Sequence, residues 1–482
     1  MGFAFVPLYV QYLGIEAYGL IGFYASMQVW FALLDMGMAP ALSREMARFN
    51  VGAHTPHSIL TLFHSLKVVY FAVALFLAAT VALGSSWIAT NWLRVESLPS
   101  STVAHALILI GCVAALRWIG ALYRGALIGL QRQVWLSSWN AVFSTLRGAA
   151  AVGVLAWISP TLEVFFVFQG AVGVFEITVL GLGTRRALPS QPLPVKFSIE
   201  ALKEIWSFAA GMAVITMLSI LLSQVDKLLL SRFLPLSQFG YFTLAYTCAS
   251  VLHVLTTPVG NAAYPRLTEL VTQGNARELA SAYHFFCQVV GVVVVPVALT
   301  LSLFAGQVLL LWTHNDATAA AVAPLFSLLV IGNMMNSLMH IPYNLQLAHG
   351  WTQFTVKVNT IALSLLVPFV YFGVQRFGAA AAAWAWVSLN ASYLLIAVPL
   401  MHRKLLRAEK WRWYRSDLVA PLAAALAGVA AVKFLVAPAT GTSSLQMLSV
   451  LFLSVVAGAA SALLAVPQLR NRTLAWWKVA RS

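Results

Sequence analysis

The chain has 482 residues, of which 61% are hydrophobic and only 9% charged, against about 25% charge in a soluble domain. So few polar side chains cannot cover a folded chain in water, so lipid is its solvent. The formal charge of +15 sits at helix ends rather than in a basic tail, which argues for membrane topology and against a nucleic-acid partner.

Fourteen apolar runs are predicted as helices, with cores near 1–12, 18–36, 62–83, 103–129, 136–157, 162–182, 207–230, 239–260, 284–305, 318–341, 354–373, 379–400, 418–435 and 446–466. The expected class is an all-α polytopic membrane protein. The first run, MGFAFVPLYVQYL, is too short to span and has no basic flank or cleavage site. It reads as the outer end of a helix whose beginning is missing, as a mis-assigned start codon would produce.

The second run ends in LLDMGMAPALSREMAR, residues 33–48, where Asp35, Gly37 and Arg44 form a D-x-G-x(6)-R pattern. Pro40 is expected to break the helix, and Gly37 and Pro40 to permit bending. Asp35 is expected to pair with a basic group on a neighbouring helix. Two readings stay open: a gate or hinge, or a helix-end ion pair with no moving part.

Arg117 and Arg124 lie seven residues apart in the run 103–129, so they share one helix face about 10 Å apart. Arg147 falls in the next run. Guanidiniums stay charged and bind phosphate oxygens bidentately, so two or three of them on one face suit a diphosphate. The other reading is neutralisation within the fold by Asp35 or Glu176. Seven basic residues lie inside predicted spans: Lys67, Arg117, Arg124, Arg147, Lys227, Lys357 and Lys433. The acids at comparable depth are Asp35, Glu163, Glu176 and Asp226. A lipid-facing charge costs on the order of 3 kcal/mol, so these groups must face one another or a wet cavity. Snorkelling accounts for Lys67, Lys357 and Lys433 near helix ends.

Residues 184–206 form a cytoplasmic linker, with three prolines in TRRALPSQPLPVKF followed by SIEALKEIW, which reads as an amphipathic interfacial helix. Beyond it come Asp226 and Lys227. Adjacent residues on a helix diverge by about 100°, so each is expected to find its own partner, in another helix or in a cavity. Further on, Asn333, Asn336, His340 and Asn344 fall on one face. They could line a water-filled path for sugar hydroxyls, with His340 able to carry protons, or bond helix to helix. Cys112, Cys248 and Cys287 have no metal or disulfide spacing and read as packing residues.

Placing the first helix's start inside puts nineteen basic residues on the cytoplasmic side and three outside. Both termini are therefore expected in the cytoplasm. YLGIEAYGLIGFY at 12–24 matches FLPLSQFGYFTLA at 233–245, and Gly129 matches Gly350, all at an offset of 221 residues. The offset spans six helices, so the halves are expected as parallel repeats. They would be bundles at 1–183 and 207–402, with two further helices and a basic tail at 403–482. No nucleotide-binding, hydrolase or metal motif occurs, so neither an enzyme nor a cofactor is expected.

These motifs, with LDMGMAPALSREMAR, GALIGLQR, Asn140, QVDKLLLSRFLPLSQFGYFTLAY and TPVGNAAYPRLTEL in order over roughly residues 1–400, resemble the Wzx-type polysaccharide flippases. Those belong to the multidrug/oligosaccharidyl-lipid/polysaccharide exporter superfamily. The resemblance implies two six-helix bundles in a V around a central cavity, with alternating access. It implies an undecaprenyl-diphosphate-linked glycan, moved to the outer leaflet of the bacterial inner membrane, as substrate. It implies Arg117, Arg124, Arg147 and Lys227 as cavity cations, and membrane lipids, a glycan polymerase and a chain-length regulator as partners. Asp35, Glu176 and Asp226 are candidate ion-coupling acids. Three other functions are compatible with the pattern: a cation-coupled multidrug exporter, a peptidoglycan-precursor flippase, and a non-transporting scaffold of a glycan polymerase. The exporter would need an acidic cavity, and intramembrane bases outnumber acids seven to four.

Overall fold

The computed structural model describes residues 5–35, 37–50, 52–189, 196–436, 444–466 and 469–471, apart from the side chains of 204 and 206–216. Residues 1–4 of the first predicted helix, 190–195 of the linker, and the tail residues Arg472, Lys478 and Arg481 lie outside that set. The chain divides into two compact units, Met1–Gly240 and Tyr241–Ser482.

The first unit holds α1 (Val6–Leu13), α2 (Ile15–Ala32), α3 (Met38–Asn50), α4 (Pro56–Trp87), α5 (Ser100–Gly129), α6 (Gln133–Thr145), α7 (Ala151–Trp157), α8 (Leu162–Ala187) and α9 (Ile199–Phe233). Helix α10 (Leu236–Ala249) begins in it. The second unit continues with α11 (Val251–Thr272), α12 (Ala276–Leu303), α13 (Ala305–Thr313), α14 (Asp316–Ala348), α15 (Thr352–Phe377), α16 (Ala379–Ser392), α17 (Val398–Leu405), α18 (Lys410–Arg412), α19 (Ala420–Leu435) and α20 (Ser444–Ala465). Helix α5 packs against α3, α4 and α8, and α14 against α11, α12 and α16.

Local chemistry sets the helix starts. Thr55, Thr161, Ser198, Asn275 and Asn315 each accept a first-turn N–H at the start of α4, α8, α9, α12 and α14. Their faces are apolar on both sides. Leu20 and Leu122 are fully buried, while Leu83 and Trp157 are 88% and 90% exposed, which is stable only with lipid outside. Eleven helical stretches among the described residues are long and apolar enough to cross a membrane. The predicted run 136–157 is helical but falls outside that set. The segment 198–206 is not a helix of its own: Ser198 caps α9, which then runs unbroken for 35 residues.

The two glycines at the 221-residue offset meet in the first unit. A Cβ on Gly19 would stand 2.3 Å from the Leu236 carbonyl oxygen, and one on Gly240 2.3 Å from that of Ile15. Ile15 and Leu236 carry the same offset as the two glycines, so the crossing of α2 and α10 is reciprocal under that offset. The connection after α4 fastens the same corner. Glu16 is buried and accepts the backbone N–H of Glu96 at 2.6 Å and of Ser97 at 3.0 Å. The Leu236 N–H donates to the Arg94 carbonyl at 2.8 Å. Gly240→Val is expected to cost at least about 1–3 kcal/mol, the usual range for overpacking, because the obstructing atom is backbone. Thermal unfolding of the purified protein measures it.

Candidate functional site

Two intramembrane guanidiniums of the first unit converge on one carboxylate. On α5, Arg117 and Arg124 are seven residues apart. On the facing α8, Gln169 and Glu176 have the same spacing. Arg147 enters from a π segment, Leu146–Ala150, between α6 and α7. The buried Glu176 accepts from Arg124 through Oε1 at 2.5 Å and from Arg147 through Oε2 at 2.5 Å. Gln169 bonds Arg147 twice, accepting from its guanidinium at 3.4 Å and donating to its carbonyl at 3.1 Å. The Tyr9 hydroxyl donates to the Arg147 carbonyl at 3.0 Å. Arg124 also turns back to the Arg117 carbonyl at 3.2 Å. Two guanidiniums thus share one acid, and the third, Arg117, has no carboxylate partner among the described residues.

Beside Arg117 lies a cavity of about 360 Å³ between α2, α3 and α5, lined by Gln28, Asp35, Arg117, Trp118 and Arg124. Gln28 Nε2 and Trp118 Nε1 are buried behind this wall without a hydrogen-bond partner among the described residues, and the Tyr24 hydroxyl lies beside the Arg117 guanidinium. Buried polar groups are seldom left unpaired. The Arg117 guanidinium, without a carboxylate partner among the described residues, lies at this cavity wall, where it can take an acceptor-rich anion.

Asp35, on the cavity wall, corrects two expectations. It forms no ion pair among the described residues. Its carboxylate accepts the Tyr70 hydroxyl and the Ala39 N–H, the latter at 3.2–3.3 Å. The cause is the backbone. Gly37 has φ +76°, a left-handed turn suited to glycine, and it folds the start of α3 back so that its free N–H reaches Asp35. The break is therefore at Gly37. Pro40 sits within the first turn of α3, where its missing N–H is tolerated. Arg44 is half exposed, 3.6 Å from Glu45, which also accepts from Arg48 and His54.

Asp226 and Lys227 correct a third expectation. They do pair, at 3.4 Å, while Lys227 Nζ also donates to the Ser223 carbonyl at 2.7 Å. The long lysine stem folds back along its own helix and spans an angle that short side chains could not. Glu163 is in the first turn of α8, half exposed and 3.7 Å from His105, at a helix end rather than at depth. Lys433 donates to the Leu303 carbonyl at 2.7 Å.

On α14 the amides bond helix to helix. Asn333 donates to the Ala249 carbonyl at 2.9 Å and accepts the Trp386 indole at 2.8 Å. Asn336 donates to Asn390 at 2.9 Å, and Asn344 to the Gly260 carbonyl at 3.0 Å. The His340 ring occupies the space that a side chain on Gly260 would fill.

Gln169, Tyr70, Gln28 and Trp118 are site residues that the sequence reading did not single out. The seven-residue spacing of Gln169 and Glu176, matching that of Arg117 and Arg124, was a signal for the first. Nothing local marks the other three.

Comparison with known proteins fits this picture. Residues 1–271, more than half of the chain, match the family model of polysaccharide biosynthesis proteins. A Shigella flexneri protein named "Putative O-antigen transporter" is 20% identical over 375 residues, covering 78% of this chain and 87% of its own. The lipid II flippase MurJ in an inward closed conformation superimposes with a TM-score of 0.72 at 11% identity, over 96% of this chain and 95% of its own. An inward-facing multidrug resistance MATE transporter of the MOP superfamily gives a TM-score of 0.68 at 14% identity, over 84% of this chain and 94% of its own. The chain therefore belongs to the polysaccharide biosynthesis protein family, as a multi-pass membrane protein with the fold of MOP-superfamily transporters.

Proposed function

We propose that this protein is a flippase that carries an undecaprenyl-diphosphate-linked oligosaccharide from the cytoplasmic to the outer leaflet of the bacterial inner membrane by alternating access. The observation that carries the reading is the surplus of donors around Arg117: a guanidinium on a cavity wall without a carboxylate partner among the described residues, with unpaired buried N–H groups beside it. A diphosphate supplies the missing acceptors. Arg124 and Arg147, braced by Glu176, hold the positive field in place, and the polyprenyl tail stays in lipid. The family membership and the O-antigen relative support a glycan as the attached group. The excess of basic residues at one set of helix ends supports cytoplasmic termini. A cationic drug is disfavoured because the one acid on the cavity wall, Asp35, is already held by Tyr70 and Ala39.

The test is reconstitution of the full chain in liposomes with fluorescent glycolipids. The expected result is movement of a polyprenyl-diphosphate oligosaccharide between leaflets and none of a neutral glycolipid with the same glycan. Equal movement of both, or extrusion of a cationic dye alone, would overturn the proposal.

A further inference from the structure

A second buried polar cluster lies in the other unit, and nothing in the flippase reading uses it. His284 on α12 is completely buried, with both ring nitrogens on carboxylates. Nδ1 meets Asp417, in the π segment Trp413–Val419, and Nε2 meets Glu409 at 2.8 Å. Gln288 donates to the other Asp417 oxygen at 2.7 Å. Arg412 stands 3.4 Å from Glu409. The remaining ionisable neighbours are Tyr283, Cys287 and Tyr414 on the Asp417 side, with His402 and Lys410 near Glu409. Tyr283 and His402 bond each other at 3.2 Å.

Proton bookkeeping decides what this arrangement holds. A neutral imidazole has one N–H and one lone pair. With a carboxylate at each nitrogen, one of the two contacts would then set a lone pair against an anionic oxygen. With both carboxylates ionised, both contacts are attractive only with one more proton on the ring. With the ring protonated, His284 and Arg412 balance Glu409 and Asp417. Without that proton the fully buried part, His284 with Asp417, carries a net negative charge, which is costly. The two links are not equally firm. Asp417 is fully buried and also held by Gln288, whereas Glu409 is 22% exposed and belongs to the short connection after α17. Loss of the proton opens the Glu409 link.

We infer that His284, Glu409 and Asp417 form a proton-binding site in the second unit, whose proton latches residues 406–412 onto α12. Glu409 is the entry point for the proton, and Asp417 and Gln288 fix the ring from within. The cation-rich connection, with Arg407, Lys410 and Arg412, is released when the site empties.

The full-length protein in lipid nanodiscs, labelled with 15N-histidine, provides the test. The His284 signal is assigned by its disappearance in His284→Gln. The expected result is that this imidazole gains or loses one proton in a single step as the pH is varied. Amide hydrogen exchange of residues 406–412, corrected for the intrinsic rate, rises about tenfold or more across the same step. Glu409→Gln, at the partly exposed link, is expected to abolish the pH dependence of that exchange. A His284 ring that keeps one protonation state throughout, exchange that ignores the step, or an unchanged exchange profile in Glu409→Gln each overturns the inference. Neither readout involves transport, so the outcome is separate from that of the flippase proposal.

Discussion

Arg117→Ala is expected to slow movement of a diphosphate-linked glycan by about 10- to 100-fold, the worth of losing charge-assisted hydrogen bonds of about 1.5–3 kcal/mol. The unfolding temperature should stay near that of the native chain. The asymmetry follows from the partner count. Arg117 has no carboxylate of its own among the described residues, so its removal strands none of their buried acids. Arg117→Lys keeps the charge but loses the planar fork, and an intermediate rate is expected. The flip assay in liposomes measures both variants. A wild-type rate for Arg117→Ala would remove this residue from substrate binding.

Glu176→Gln should act in the opposite sense, on folding first. It strips the one acid from Arg124 and Arg147, and breaking a buried ion pair from one side costs about 3–5 kcal/mol. Thermal unfolding in detergent or nanodiscs should show the loss. Adding Arg147→Gln removes one of the two stranded guanidiniums and should restore part of the stability. The double-mutant cycle would then give a coupling of about 0.5–3 kcal/mol, as expected for groups in one network. A Glu176→Gln chain as stable as the native one would mean that Glu176 does not brace the cationic face.

Much of this site was legible from spacing alone. Residues seven apart on a helix share a face, which placed Arg117 with Arg124 before any coordinates. The cost of charge in lipid then required partners for them. Spacing cannot choose a partner, however. Asp35 and Glu176 were equally eligible in the sequence. The choice was made by the turn at Gly37, which hands Asp35 to a backbone N–H, and by the packing of α8 on α5. Lys227 was misjudged because the angle between adjacent Cβ vectors ignores four flexible methylenes. The amphipathic start of α9 was read as a separate element because its period resembles that of an interfacial helix. No sequence signal ends a helix at that point, and the chain continues. His284 stayed unnoticed because its acids are more than 100 residues away, on a connection that looks like an ordinary basic loop.

The crossing of Gly19 and Gly240 has a genetic consequence. Each glycine is the wall against which the other's helix rests, and each is already the smallest residue available. A side chain gained at one position therefore has no smaller replacement to offset it at the other. Reversion would have to come from the same codon, or from a shift of α2 or α10 as a whole. In an isologous subunit contact one change strikes twice. Here the two sides are separate codons, so each can be lost by its own single mutation.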